Sequence, residues 1–271
     1  MAWIPESPHA CLPPGAGGVF MPEGPSIQIL REQAAGFAGK TVRRAGGNSR
    51  IDIARLVGRR LLAVRSWGKH FLLEFEGFSV RIHLLMFGSY RINEGKEGAA
   101  PRLSLGFARS QELNFYNCSV RYIEEPLDTV YDWSADVLSD AWDPAAARKK
   151  LRAMPDALVC DALLDQTVFS GVGNIIKNEV LFRIRVHPLS TVGALPAPKL
   201  RELVAQARQY SFDFLAWKKA FVLRQHWLAH NKTICPRCEI PFVRAHLGKT
   251  QRRSFFCENC QRRYEAPFEL K

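Results

Sequence analysis

The 271-residue sequence contains no run of eighteen apolar residues, although 47% of it is apolar. A helix long enough to cross a bilayer is therefore not expected. The apolar residues are left for a packed interior, and there are enough of them for two modest domains. Acids are also scarce. Asp and Glu number 26 against 38 Lys and Arg, giving a formal net charge of +12 and a pI of about 9.6. That excess favours polyanionic partners, nucleic acid first, with a merely basic soluble protein as the alternative. There is no internal repeat and no long low-complexity tract. The opening stretch MAWIPESPHACLPPGAGGVF has neither a basic start nor a continuous apolar core. It reads as neither a secretory signal nor a transit peptide, and its Pro and Gly content suggests a disordered extension.

Cysteine is present in an odd number, seven, which argues against a disulfide framework. Four of the seven form two Cys-x-x-Cys pairs near one end, Cys235 with Cys238 and Cys257 with Cys260, separated by eighteen residues. Two such knuckles supply four sulfurs for one tetrahedral zinc in a reducing compartment. With all four positions taken, the site is structural rather than catalytic. The intervening EIPFVRAHLGKTQRRSFF has strand-like ends and a Leu-Gly-Lys turn, which predicts a hairpin ribbon. Lys249, Arg252 and Arg253 lie in that hairpin and could grip phosphates; the alternative is a solvated hairpin tip. Cys11, Cys118 and Cys160 show no partner pattern and read as a tail thiol and two structural residues.

The texture changes twice along the chain. SIQILREQAAGFAGK places Ile27, Leu30, Ala34 and Phe37 on one helical face, with Pro25 suited to the first turn and Gly39 to the stop. From about Arg60 the pattern is that of short strands broken by turns at Gly68, Gly77 and Gly88, continued by RLSLGF and ELNFYN. From Asp143 to about Lys219 the periodicity is helical, so the junction falls between Asp132 and Asp143. Within the helical part, LLDQTVFSGVGNIIKNEVLF predicts a helix ending near Gln166 and a second beginning at Asn174 or Ile175. Gly171 and Gly173 lie between them. The second helix start offers unpaired N–H groups and the positive end of a dipole, and Asn174 could cap it or donate to a phosphate.

MPEGP before a helix (residues 21–25), GVGN between two helices (171–174) and the four-cysteine ribbon together resemble the formamidopyrimidine-DNA glycosylase and endonuclease VIII family of base-excision repair enzymes. The resemblance covers residues 21 to about 263. It implies an α+β fold: an N-terminal β-sandwich with a leading helix over 21–135, a helix–two-turn–helix region over 136–230, and a zinc finger and tail over 231–271. Residues 1–20 stand outside it.

The implied activity is excision of oxidised bases from damaged DNA, with β,δ-lyase cleavage at the resulting abasic site. Pro22 would be the nucleophile, its secondary amine forming an iminium with C1′. An α-amino group titrates near pH ~8, well below lysine, so part of it is neutral at pH 7. Glu23 would be the general acid, where its residue type alone suggests a helix-start carboxylate. Lys69 matches the hairpin lysine that holds a phosphate beside the lesion, where position alone suggests a solvated turn lysine. Asn174 and Arg252 match the family's phosphate clamps. HLLMFGSYR (83–91) matches the loop that fills the space left by an everted base, with Leu85, Met86 and Phe87 as the wedge; the alternative, a strand facing the core, suits Leu84 better.

The sequence departs from the family pattern in three places. Ser26 replaces a second early glutamate, the Arg-Arg-Phe stretch of the purine-specific branch is missing from FYNCSVRYIEE, and the ribbon is two residues longer than usual. MPEGP with an apolar wedge points to the endonuclease VIII branch and oxidised pyrimidines, with oxidised purines as the alternative. A monomer is expected, cytoplasmic and bacterial in type, with zinc and no small-molecule cofactor. A free amine at Pro22 requires that translation begin at Met21 or that the leader be removed. If Pro22 stays acylated, the protein is instead a silent damage-binding factor. A zinc-ribbon transcription factor would account for the cysteines but not for MPEGP or Lys69.

Overall fold

The computed structural model describes residues 22–265. The expected extension over 1–20 lies outside them. Helix α1 (Gly24–Ala34) begins two residues before Ser26 and runs into a short 3-10 turn at Ala35–Phe37, and Gly39 follows at φ +81°. Its Ile27, Leu30 and Ala34 are buried, as their spacing predicts.

Two four-stranded antiparallel sheets follow. One has the order β2 (Ala63–Trp67), β3 (His70–Phe75), β4 (Phe78–His83), β8 (Ser119–Ile123). The other is β1 (Arg44–Gly46), β6 (Leu103–Gly106), β7 (Glu112–Tyr116), β5 (Ser89–Ile92). Their inner faces share one apolar cluster, with Phe71, Leu73, Val80 and Ile82 from one sheet and Leu103, Leu105, Leu113 and Phe115 from the other. The Phe71 and Phe115 rings lie 5.6 Å apart across it. In β3 three consecutive residues are buried, which breaks the strand's alternation. Leu72 faces outward, but Leu127, from α2 (Leu127–Val130), and Tyr131 cover it.

The helical part contains α3 (Pro144–Arg152), α4 (Val159–Ala162), α5 (Asn174–Arg183) and α6 (Ala197–Lys219) around a second apolar core. Asp143 caps α3 by accepting from the Ala145 N–H. The helix expected to end near Gln166 stops at Ala162. Residues 163–166 continue as turns, and the Gln166 carboxamide donates to the Leu164 and Val172 carbonyls and accepts from the Gly171 N–H. β9 (Val243–Leu247) and β10 (Arg252–Phe256) form the expected hairpin, with Gly248 at φ +70° in its turn.

Three backbones meet where the β part touches the helical part. The Gly24 N–H donates to the Gly171 carbonyl at 2.8 Å. A Cβ on Gly24 would lie 2.8 Å from the Gly171 Cα, and one on Gly68 would lie 2.7 Å from the Gly171 nitrogen. Gly68 and Gly171 also have φ of +51° and +98°, where a side chain is strained. The start of α1, the β2–β3 turn and the turn before α5 are in contact because none of the three carries a side chain. Asp136 adds a polar tie, accepting from the Gly68 N–H at 2.8 Å and the Leu138 N–H at 2.9 Å.

Candidate active site

Glu23 follows Pro22 directly and is almost fully buried. Its carboxylate accepts from the N–H groups of Gly173 (3.1 Å), Ile175 (2.7 Å) and Ile176 (3.2 Å), the open N-terminus of α5. A Cβ on Gly173 would overlap this carboxylate. The cap of α5 is thus a side chain 150 residues away, not Asn174. Burial raises the proton affinity of Glu23, opposed first by the charge of Lys69 and then by the three N–H donors.

Lys69 lies in the β2–β3 turn beside Gly68. Burial lowers its proton affinity, Glu23 opposes that shift, and Arg252 reinforces it. Lys69 and Arg252 line one cleft of about 260 Å³ with Trp67, His70, His83, Leu164, Gln166 and Thr250. The two histidines join the site without having been singled out in the sequence. His70 is pushed down to about 3, chiefly by burial, so it is neutral at physiological pH. A larger cavity of about 470 Å³, between Trp142, Arg148, Arg208 and Phe212, shares no residue with the cleft.

The loop after β4 presents Leu85, Met86 and Phe87 to solvent at 50%, 45% and 62% exposure, while Leu84 is buried. Leu85 sits at φ +49°. A Cβ on Gly88 would run into the Leu84 carbonyl, so the loop is as tight as a glycine allows. Arg252 Nη1 comes within 3.8 Å of the Met86 sulfur, so the hairpin and the loop face each other.

The hairpin is bound to the helices on its other side. Asn174 is buried, and its Nδ2 donates to the Arg253 carbonyl at 3.0 Å. Asp161 accepts from the Lys249 N–H at 2.9 Å and the Thr250 N–H at 3.4 Å. The Lys249 and Arg253 residues themselves are exposed. Cys235, Cys238, Cys257 and Cys260 converge at the base of the hairpin, with their sulfurs all within 4.8 Å of one another. Cys235 and Cys257 are buried, and the four could hold a metal ion. Arg237, between the first pair, donates to the Phe182 and Arg183 carbonyls at 2.7 and 3.3 Å, closing the C-terminus of α5.

Glu179 was not anticipated from the sequence. Its buried carboxylate accepts from the N–H groups of Leu228, Ala229 and His230 at 2.8–3.0 Å, which pins the segment leading into the cysteine cluster.

Comparison with known proteins decides the family. A family model described as the formamidopyrimidine-DNA glycosylase N-terminal domain matches residues 21–119, and one described as the H2TH domain of the same glycosylase matches residues 134–210. The chain belongs to the formamidopyrimidine-DNA glycosylase and endonuclease VIII family. It is 32% identical to a formamidopyrimidine-DNA glycosylase of Aromatoleum aromaticum over 90% of this chain and the whole of that one. It is 39% identical to endonuclease 8-like 2 of Bos taurus over 67% of this chain, and 31% identical to endonuclease 8-like 3 of Mus musculus over 73%. The matched regions span 57% and 34% of those two relatives. Lactococcus lactis formamidopyrimidine-DNA glycosylase, solved bound to DNA containing an abasic site, shares the fold at a TM-score of 0.77 and 20% identity, over 89% of this chain and all of that one.

Removing the Glu23 carboxylate leaves three N–H groups without their acceptor. Glu23→Ala should lower stability by about 3 kcal/mol, more than an ordinary cap loss, and Glu23→Gln by about 1 kcal/mol because one oxygen remains. Urea unfolding of the three proteins measures this; equal stabilities would show that the cap carries no weight.

Proposed function

We propose that the protein excises damaged bases from DNA and cleaves the resulting abasic site. The carrying observation is that Lys69 and Arg252 line one cleft, while the Glu23 that follows Pro22 is buried with its carboxylate on the N-terminus of α5. Glycosylase relatives matched over most of the chain support the same reading.

Pro22, with its nitrogen free of an acyl group, is the nucleophile. Its lone pair attacks C1′ and the glycosidic bond breaks with its electrons leaving on the base, which takes up the proton lost from the amine; the nitrogen lone pair then expels the ring oxygen from C1′ to give the iminium. Glu23 gives its proton to the sugar ring oxygen. Burial helps it to hold that proton, and the N–H donors hold its oxygens in one place. β-Elimination and then δ-elimination release the two flanking phosphates from the opened sugar.

Lys69 and Arg252 hold the phosphates beside the lesion. Asn174 has one amide proton committed to Arg253 and a second to offer. Lys249 and Arg253 extend the basic surface along the backbone. Leu85, Met86 and Phe87, exposed on a tight loop opposite Arg252, fill the stack when the base is everted. The four thiolates hold one structural zinc, which fixes the hairpin. The closeness of the four sulfurs supports this, and four thiolates would fill the tetrahedral positions of such an ion.

Three outcomes are expected. Metal analysis should find one zinc per chain, and Cys257→Ser should lose it together with most DNA affinity; full DNA binding without metal would remove the zinc assignment. In single-turnover assays, duplex DNA with an oxidised pyrimidine should be cut faster than DNA with oxidised guanine opposite cytosine, since the Arg-Arg-Phe stretch is missing; the reverse order would move the chain to the purine branch. The decisive test is the nucleophile. The chain shortened to begin at Pro22 should form a borohydride-trapped adduct with damaged DNA, and the intact 271-residue chain should not, because an amide nitrogen has no available lone pair. Glu23→Gln in the shortened chain should lose base excision yet still cut preformed abasic sites. Equal trapping by the intact, unprocessed chain would assign the chemistry to another amine.

A further inference from the structure

Lys177 lies inside the protein, on α5, at 1% exposure. Its Nζ donates to the Ser254 hydroxyl at 2.8 Å and to the Arg253 carbonyl at 3.4 Å. That same carbonyl accepts from Asn174 Nδ2 at 3.0 Å and Asn178 Nδ2 at 3.3 Å, and Asn178 Oδ1 accepts from the Phe255 N–H at 3.2 Å. Positions 174, 177 and 178 share one face of α5 at helical spacing. Three side chains from that face therefore converge on a single peptide carbonyl of β10, the one immediately after Arg252.

An ammonium is an expensive group to bury. The cost is several kcal/mol, which good partners must offset. Simple packing between a helix and a hairpin would be served by leucine or methionine. The Lys177 ammonium donates to two neutral oxygens of β10, so what it adds is directional. Burial draws its pKa down to about 8, with Cys160, Asp161 and Glu23 holding it up and Arg252 lowering it. At neutral pH the amine is still protonated and retains all three N–H donors.

The neighbouring residue shows what this direction accomplishes. Side chains alternate along a strand, so Ser254 leaves β10 on the same face as Arg252, and holding its hydroxyl together with the Arg253 carbonyl fixes the backbone from which Arg252 projects. Arg252 reaches the cleft of Lys69 and faces Met86 of the wedge loop. The hairpin's tip is held separately by Asp161, at Lys249 and Thr250. Lys177 is thus the one charged side chain among these contacts that grips the strand beside Arg252.

We propose that Lys177 is a positioning residue for DNA capture: it holds β10 so that Arg252 meets the phosphate in the cleft. The inference rests on reading Arg252 as a phosphate contact. It concerns a residue buried from solvent, and it assigns to α5 the task of aiming the hairpin as well as closing over Glu23.

The test is a mutant cycle on the full chain, with binding to a duplex containing a tetrahydrofuran abasic analogue measured across a salt series. Arg252→Ala should weaken binding about tenfold and make the salt slope shallower by about one. Lys177→Met, close in volume and without charge, should do nearly the same, although residue 177 is buried. The double variant should bind within about twofold of Arg252→Ala alone, because the lysine acts through the arginine. Circular dichroism and metal content establish that Lys177→Met is folded. If it is not, Ser254→Ala, which removes the nearer partner and keeps the lysine, takes its place with the same expected slope and the same lack of additivity. Additive effects, or an unchanged salt slope in Lys177→Met while Arg252→Ala weakens binding, would overturn the positioning role and leave the phosphate contact standing. No effect of Arg252→Ala would remove the phosphate contact and the inference with it.

Discussion

The structure depends on one carboxylate at one helix end. Glu23 is buried against the first N–H groups of α5, 150 residues later in the chain. A helix N-terminus pointing into the protein leaves donors that must find an acceptor, and here the acceptor comes from the other half of the fold. The β part and the helical part are therefore joined through the group proposed to carry the proton. If Glu23 moves, both the interface and the chemistry change.

Helix α5 is held along its whole length. Glu23 closes its first turn, the Asn174–Lys177–Asn178 face grips β10, Glu179 pins residues 228–230, and Arg237 closes its last carbonyls. Its mixed composition follows from this. It is buried on nearly every side, yet it carries Asn, Lys and Glu where an ordinary core helix would be apolar. Asn174, Lys177 and Asn178 reach β10 while Glu179 reaches residues 228–230, so one helix holds both segments.

Much of this was legible in the sequence. The period of α1, the glycine-marked strand turns, the change to helical periodicity and the cysteine pairs all appear locally, and each predicts its element within a few residues. Leu84 and the three residues after it separated as their positions suggested, one in the core and three in solvent. What could not be read were the long-range pairings. Nothing near Asn174 reveals that its helix is capped from residue 23; of the two roles its position offers, capping the helix or donating to a phosphate, the first belongs to Glu23. Glu179 and Lys177 carry no motif of their own, and only the fold brings them against the linker and the strand that they hold. His70 and His83 belong to strands whose pattern is set by the core, and their place in the cleft depends on how the helical part docks.

The contact among Gly24, Gly68 and Gly171 has a consequence for precision. Side chains hop between rotamers, and an interface built from them transmits those hops as positional noise. Here the spacing between the start of α1, the turn bearing Lys69 and the turn before α5 is set by main-chain atoms touching main-chain atoms. Those atoms have no rotamers to exchange. The backbone placement of residues 22, 23 and 69 is then as steady as the main chain itself, so the motion left to Glu23 and Lys69 is that of their own side chains.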